Sequence, residues 1–140
     1  MKILVLCTGN SCRSQMAEGF LKSFDNTIQV FSAGTQPSEK VHDLAIEVMK
    51  EVGIDLSVNF PKSVDKFLNE EFDFVITVCG GAKESCPAFL GKVNKRLHLG
   101  FDDPAEASGS EEDILKEFRR VRNLIGDGFE EFYNDLIKKQ

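Results

Sequence analysis

Residues 3–14 read Ile-Leu-Val-Leu-Cys-Thr-Gly-Asn-Ser-Cys-Arg-Ser, and the change of character inside that stretch decides the fold. Ile3–Leu6 is a short, unbroken apolar run, the pattern of a strand buried on both faces of a parallel sheet. Cys7–Ser11 is small and polar, the composition of a turn. Helical spacing then begins, with Met16, Ala17, Phe20, Leu21 and Phe24 on one stripe. Strand, polar loop, helix is the opening unit of an α/β fold.

Outward from that unit the same alternation continues. Ile28–Ala33 reads as a second strand, ended by Gly34 and Pro37. Val41, Leu44, Ala45, Val48, Met49 and Val52 give another amphipathic helix, with Gly53 as the residue beyond its end. Phe72–Val78 is the strongest strand signal, rich in β-branched and aromatic residues, and it runs straight into Cys79-Gly80-Gly81. Arg96–Phe101 reads as a short strand leading into Asp102-Asp103-Pro104. From about Glu111 to Lys138 the pattern is helical, its acidic start suited to a helix N-terminus. Gly126 and Gly128 sit inside it and weaken the case for one unbroken helix. The whole predicts one α/β domain, residues 1–140, with a doubly wound parallel sheet flanked by helices. Ligands of such sheets sit at the carboxyl ends of the strands. Cys7 with its loop, Cys79 and the Asp102-Asp103-Pro104 turn all fall at such ends.

The bulk properties narrow the function. A chain of 140 residues, 41% apolar and 29% charged, has a composition ordinary for a globular protein. A net charge of −6 argues against a nucleic-acid or anionic-membrane surface, which needs a basic face. Any site for an anion must therefore work through local donors. Ile3–Leu6 is too short for a signal-peptide core or a membrane span, so a cytoplasmic location is expected. Thiols are kept reduced there. Four cysteines in that setting point to catalysis, redox chemistry or metal binding rather than a disulfide framework.

Cys7 and Arg13 have the spacing C-x5-R. A short loop between strand and helix can curl so that backbone N–H groups of Thr8, Gly9, Asn10, Ser11, Cys12, Arg13 and Ser14 converge on an anion. The helix beginning near Arg13 adds its positive end. Arg13 supplies a planar fork that matches two oxygens of a tetrahedral oxyanion. The same donors favour a Cys7 thiolate, whose unperturbed pKa of about 8.5 would leave it mostly protonated at neutral pH. Ser14 can donate one more hydrogen bond to that sulfur. C-x5-R alone occurs often by chance; between a strand and an amphipathic helix it is a fairly specific signal.

CTGNSCRSQMAEG at residues 7–19, with SAG at Ser32–Gly34 and EVGIDLS at Glu51–Ser57, resembles the low-molecular-weight tyrosine phosphatase fold. More narrowly the chain resembles the thioredoxin-coupled arsenate reductases built on that fold, from Lys2 to about Phe132. Read from the residues alone, Asp103 before Pro104 is either a turn or cap residue or a proton donor. The resemblance implies that it is the general acid, since the family places its acid in an Asp-Pro pair. The phosphatase branch usually follows that pair with an aromatic residue; here the next residue is Ala105, which suits a small inorganic oxyanion.

Cys79 and Cys86 form C-x6-C, wider than usual zinc spacing, and His42 and His98 lie in unrelated segments, so a metal reading is weak. Two cysteines seven apart on a regular helix lie about 10 Å apart, whereas a disulfide needs Cα atoms about 5.5–6 Å apart. The 79–86 segment is therefore read as a looped or refolding redox switch. The resemblance implies its use: Cys7 attacks arsenate, Cys79 attacks Cys7 as arsenite leaves, and Cys86 attacks Cys79. Thioredoxin then reduces the resulting Cys79–Cys86 bond. No organic cofactor or metal is implied. Cys12 is assigned to packing on the helix side.

Some members of the resembled family hold a monovalent cation behind the loop, through residues matching Asn10, Glu18 and Ser32 and an Asp a few residues after Ile54–Ser57. The Asp position is Lys62 here. Its ammonium either takes the cation's place or is a solvated surface group, and activity insensitive to potassium is expected. The expected assembly is a monomer. Two other functions stay in view. A phosphatase for phosphotyrosine or a small phosphoester would leave Cys79 and Cys86 idle. A non-enzymatic redox sensor would leave the loop and Asp103 unexplained.

Overall fold

The computed structural model describes residues 1–80, 89 and 91–138. The chain runs β1 (Lys2–Cys7), α1 (Arg13–Phe24), β2 (Gln29–Gly34), α2 (Asp43–Glu51), β3 (Glu71–Cys79), β4 (Lys92–Phe101) and α3 (Glu111–Phe132). Short 3-10 helices occupy Val64–Phe67 and Pro104–Glu106, and a π-helical turn at Tyr133–Ile137 follows α3. The four strands are all parallel, in the order β2-β1-β3-β4. The order reverses between β1 and β3, so the topological switch point lies between the strands that end in Cys7 and Cys79.

β1 is the centre of the molecule, and its sequence says why. Ile3, Leu4, Val5 and Leu6 are all fully buried. Ile3 and Val5 face the cluster built with Met16, Leu21, Phe118, Ile125 and Phe129 from α1 and α3. Leu4 and Leu6 face the opposite cluster, with Phe67, Phe72, Val75 and Phe89. Each such side chain contributes about 1.5–3 kcal/mol of burial. β4 is an edge strand. Lys92, Asn94, Lys95 and Arg96 are exposed along it, charges of the kind that keep edges from pairing with other chains. That polar start hides its full length in the sequence, where only Arg96–Phe101 carries a strand signal.

α3 runs unbroken through Gly126 and Gly128, in line with the helical pattern that begins at Glu111. A Cβ added at Gly126 would stand 2.9 Å from the Phe20 ring, and one at Gly128 would stand 3.1 Å from the Phe101 ring. These glycines let α3 press onto α1 and the end of β4; they are packing positions rather than breaks. The helix starts at a capping box formed by Ser110 and Asp113, with Glu111, Glu112 and Asp113 in its first turn. Gly53 adopts φ +82 just past α2, the left-handed conformation that ends helices. Among the described residues no helix is long and apolar enough to cross a membrane.

Candidate active site

The loop from Cys7 to Ser14 joins β1 to α1 at the switch point and floors a cavity of about 580 Å³. The carbonyls of Thr8 to Cys12 are all hydrogen-bonded to residues outside the cavity floor or to the following helix. Thr8 O accepts from Gln36 N at 3.0 Å, Gly9 O from Ser38 N at 2.9 Å, Ser11 O from His42 N at 2.9 Å and Cys12 O from Met16 N at 2.9 Å. Asn10 O accepts from the Gln15 side chain at 3.2 Å. With the acceptors occupied on the outside, the peptide N–H groups are left for the inside, which is how a short loop becomes an anion cradle. Gly34 at the end of β2 makes this approach possible, because a Cβ there would lie 2.3 Å from Thr8 O.

Cys7 sits at the bottom, 3% exposed. Its Sγ lies 2.8 Å from Ser14 Oγ and accepts from Asn10 N at 3.2 Å. Asn10 Nδ2 donates to Ser14 Oγ at 2.7 Å, which leaves the serine proton for the sulfur. Asn10 has φ +50, the one positive φ on a residue other than glycine among those described. Asn10 and Ser14 are fully buried and do not line the cavity. They contact the sulfur, while Thr8, Gly9, Ser11, Cys12 and Arg13 line the space an oxyanion would fill.

Arg13 opens α1, whose N-cap, Cys12, makes no side-chain capping bond. The positive end of the helix is thus at the cavity wall. Arg13 Nη1 donates to Phe101 O at 3.0 Å, and Nη2 stands 3.6 Å from Asp103 Oδ2. The two aspartates of the turn have different fates. Asp102 pairs outward with Arg120 at 2.9 Å. Asp103 is extended, as Pro104 dictates, caps the short helix through Ala105 N at 3.0 Å, and lines the cavity.

Cys79 ends β3, the strand beside β1, and is 2% exposed. Its Sγ lies 4.0 Å from Thr8 Oγ1, so a second thiol stands against the oxyanion loop. A register shift between Thr77 and Cys79 turns the strand end. Gly80 packs so closely on β4 that an added Cβ would lie 2.3 Å from Phe101 O. Cys86, and with it the expected switch segment beyond Gly80, lies outside the described residues. Cys12 joins the core, as packing requires, but it also lines the cavity. Burial pushes its thiol up to about 12, with Ser11 opposing, which holds it as an unreactive thiol at neutral pH.

On the opposite rim sequence reasoning reached Ala105 but missed Thr35, Gln36, Ser38 and Glu106. No aromatic ring is among the described lining residues. It also missed Gln15, which has no chemical motif of its own. The expected cation ligands are engaged with protein partners. Asn10 Oδ1 accepts from Lys62 N and Gln15 Nε2, and Glu18 accepts from Ser32 Oγ and Lys22 Nζ. Lys62 Nζ donates instead to Phe60 O at 3.0 Å. Burial lowers the Lys62 pKa, with Lys22 and Lys66 adding to the effect and Glu18 opposing it.

The family profile described as low molecular weight phosphotyrosine protein phosphatase matches residues 2–140. An arsenate reductase of Bacillus subtilis is 46% identical over 131 residues, covering 93% of this chain and 93% of that protein. A solved arsenate reductase in the phosphate binding state superposes with a TM-score of 0.79 at 34% identity, over 96% of this chain and 98% of that one. A thioredoxin-dependent arsenate reductase of Corynebacterium glutamicum superposes with a TM-score of 0.56 at 26% identity, over 94% of this chain and 62% of that one. The chain belongs to the low molecular weight phosphotyrosine protein phosphatase family.

Proposed function

We propose that this chain reduces arsenate to arsenite, with Cys7 as nucleophile, Asp103 as general acid and Cys79 as the second thiol. The observation that carries the reading is the Cys79 thiol against the Cys7 loop, 4.0 Å from Thr8 Oγ1, at the end of the neighbouring strand. Ester hydrolysis needs a nucleophile, an arginine and an acid; it has no use for that thiol. The absence of aromatic rings among the described lining residues also favours a small inorganic oxyanion over an aryl phosphate. The arsenate reductases of matching length support the same reading.

Arsenate is cradled by the loop N–H groups and the Arg13 fork. Cys7 Sγ attacks arsenic(V), and Asp103 protonates the departing oxygen, which leaves as water. Cys79 Sγ then attacks Cys7 Sγ. The sulfur–arsenic bond breaks, its electron pair stays on arsenic, and arsenite departs. Two thiols have lost two electrons to arsenic, and a Cys7–Cys79 disulfide remains. Cys86 attacks Cys79, freeing Cys7 as thiolate and leaving Cys79–Cys86 for a dithiol reductant. The thioredoxin-dependent relative supports thioredoxin as that reductant. The chemistry needs reduced thiols, which fits a cytoplasmic enzyme.

Arsenate-dependent NADPH oxidation with thioredoxin and thioredoxin reductase tests the reading. Continuous turnover is expected in the parent, and one round per chain in Cys86→Ser. A parent that hydrolyses p-nitrophenyl phosphate well but does not turn over arsenate would overturn it in favour of a phosphatase.

A further inference from the structure

We infer that Gln15 is a positioning residue for the nucleophile, holding the one loop peptide that the backbone leaves untied. The carbonyls of Thr8, Gly9, Ser11 and Cys12 are each fixed by a backbone N–H. The carbonyl of Asn10 is fixed by the Gln15 side chain, whose Nε2 lies 3.2 Å from Asn10 O and 3.1 Å from Asn10 Oδ1. Asn10 is also the residue with φ +50, and its N–H is the backbone donor on Cys7 Sγ. A left-handed asparagine reverts easily to a commoner conformation unless something determines it. Reversion would turn the Asn10–Ser11 peptide and displace the Asn10 side-chain amide, whose Oδ1 Gln15 holds and whose Nδ2 donates to Ser14 Oγ beside the sulfur.

Gln15 is itself immobilised. It is fully buried; its Nε2 also reaches Phe60 O at 3.2 Å, and its Oε1 accepts from Asn59 Nδ2 at 3.1 Å. Lys62 N completes the frame on Asn10 Oδ1 at 2.9 Å. The 59–62 segment thus acts on Cys7 through Gln15 and Asn10 without touching the cavity. This role rests on Cys7 being the nucleophile, but not on arsenate being the substrate.

The test therefore reads Cys7 directly. Iodoacetamide labelling of the Cys7 peptide is followed across pH by mass spectrometry, together with protection by inorganic phosphate. Gln15→Met should slow labelling at neutral pH and weaken phosphate protection, each by about tenfold, the worth of about one hydrogen bond. Its labelling profile should also move to higher pH. Asn59→Ala, which cuts only the outer bond to Gln15, should move both readouts the same way by about threefold. Should Gln15→Met fail to fold, Asn59→Ala alone decides. Variants that label and bind phosphate like the parent, whatever their melting temperatures, would reduce Gln15 to a packing residue. Cys7 that labels normally in a chain that does not reduce arsenate would count against the proposed function and leave this inference standing.

Discussion

The cavity has two walls, both starting at strand ends, and they are tied down very differently. Behind the Cys7 wall, Asn10, Ser14 and Gln15 are fully buried, and each loop carbonyl from Thr8 to Cys12 is hydrogen-bonded. On the facing wall, the Asp103 side chain is 24% exposed, held by Ala105 N and a 3.6 Å approach to Arg13. The difference fits the work proposed for each wall. Donors that stabilise charge act best when they need no reorganisation. A general acid must give a proton and regain one from water, so it has to stay reachable.

The largest expected consequence falls on the open wall. Asp103→Asn keeps the cap and the shape but has no proton to give, so arsenate turnover should fall about 100-fold or more. Inorganic phosphate should still bind about as well, or slightly better with a negative charge removed beside Arg13. Measuring turnover and phosphate inhibition together checks this; equal losses in both would mean that Asp103 belongs to the binding wall.

The closed wall makes a pH prediction. Cys12 is raised from 9.0 to about 12, chiefly by burial. A thiol whose folded pKa lies above its unfolded value binds its proton more tightly in the folded state. Its contribution is fully present below about pH 9 and is lost as pH rises toward 12. Denaturant midpoints measured from pH 8 to 11 should fall with pH in the parent and fall less in Cys12→Ala. Parallel curves would contradict the burial account.

The smallest expected effect is none. Because Asn10 Oδ1 accepts from Lys62 N and Gln15 Nε2, and Glu18 accepts from Ser32 Oγ and Lys22 Nζ, replacing sodium by potassium should leave turnover unchanged. Activation of several-fold would mean that the back of the loop opens to admit a cation.

How much was legible in the sequence follows the range of the contacts. Cys7–Ser14 is local: strand, turn and helix are contiguous, so the residue pattern alone sets C-x5-R between a strand and a helix. Asp103 was legible through Pro104, which fixes its backbone, although choosing it over Asp102 needed the family resemblance. Gln15 was not legible, because its partners Asn59 and Phe60 lie 44 and 45 residues away. Why Gly126 and Gly128 sit inside a helix was hidden for a similar reason. Propensity argues against glycine in a helix, and the rings of Phe20 and Phe101 that require it come from other parts of the chain. The polar edge of β4 concealed its first residues, Lys92 to Lys95, whose pairing with β3 is plain in the fold.

The central claim is that two thiols on adjacent strands take up the oxidising equivalents of one arsenate. The most direct test is a single turnover of Cys86→Ser with arsenate and no reductant, followed by non-reducing peptide mapping. The account predicts one arsenite per chain and a Cys7–Cys79 disulfide. Arsenite released without that bond, or a Cys7–Cys12 bond in its place, would contradict it.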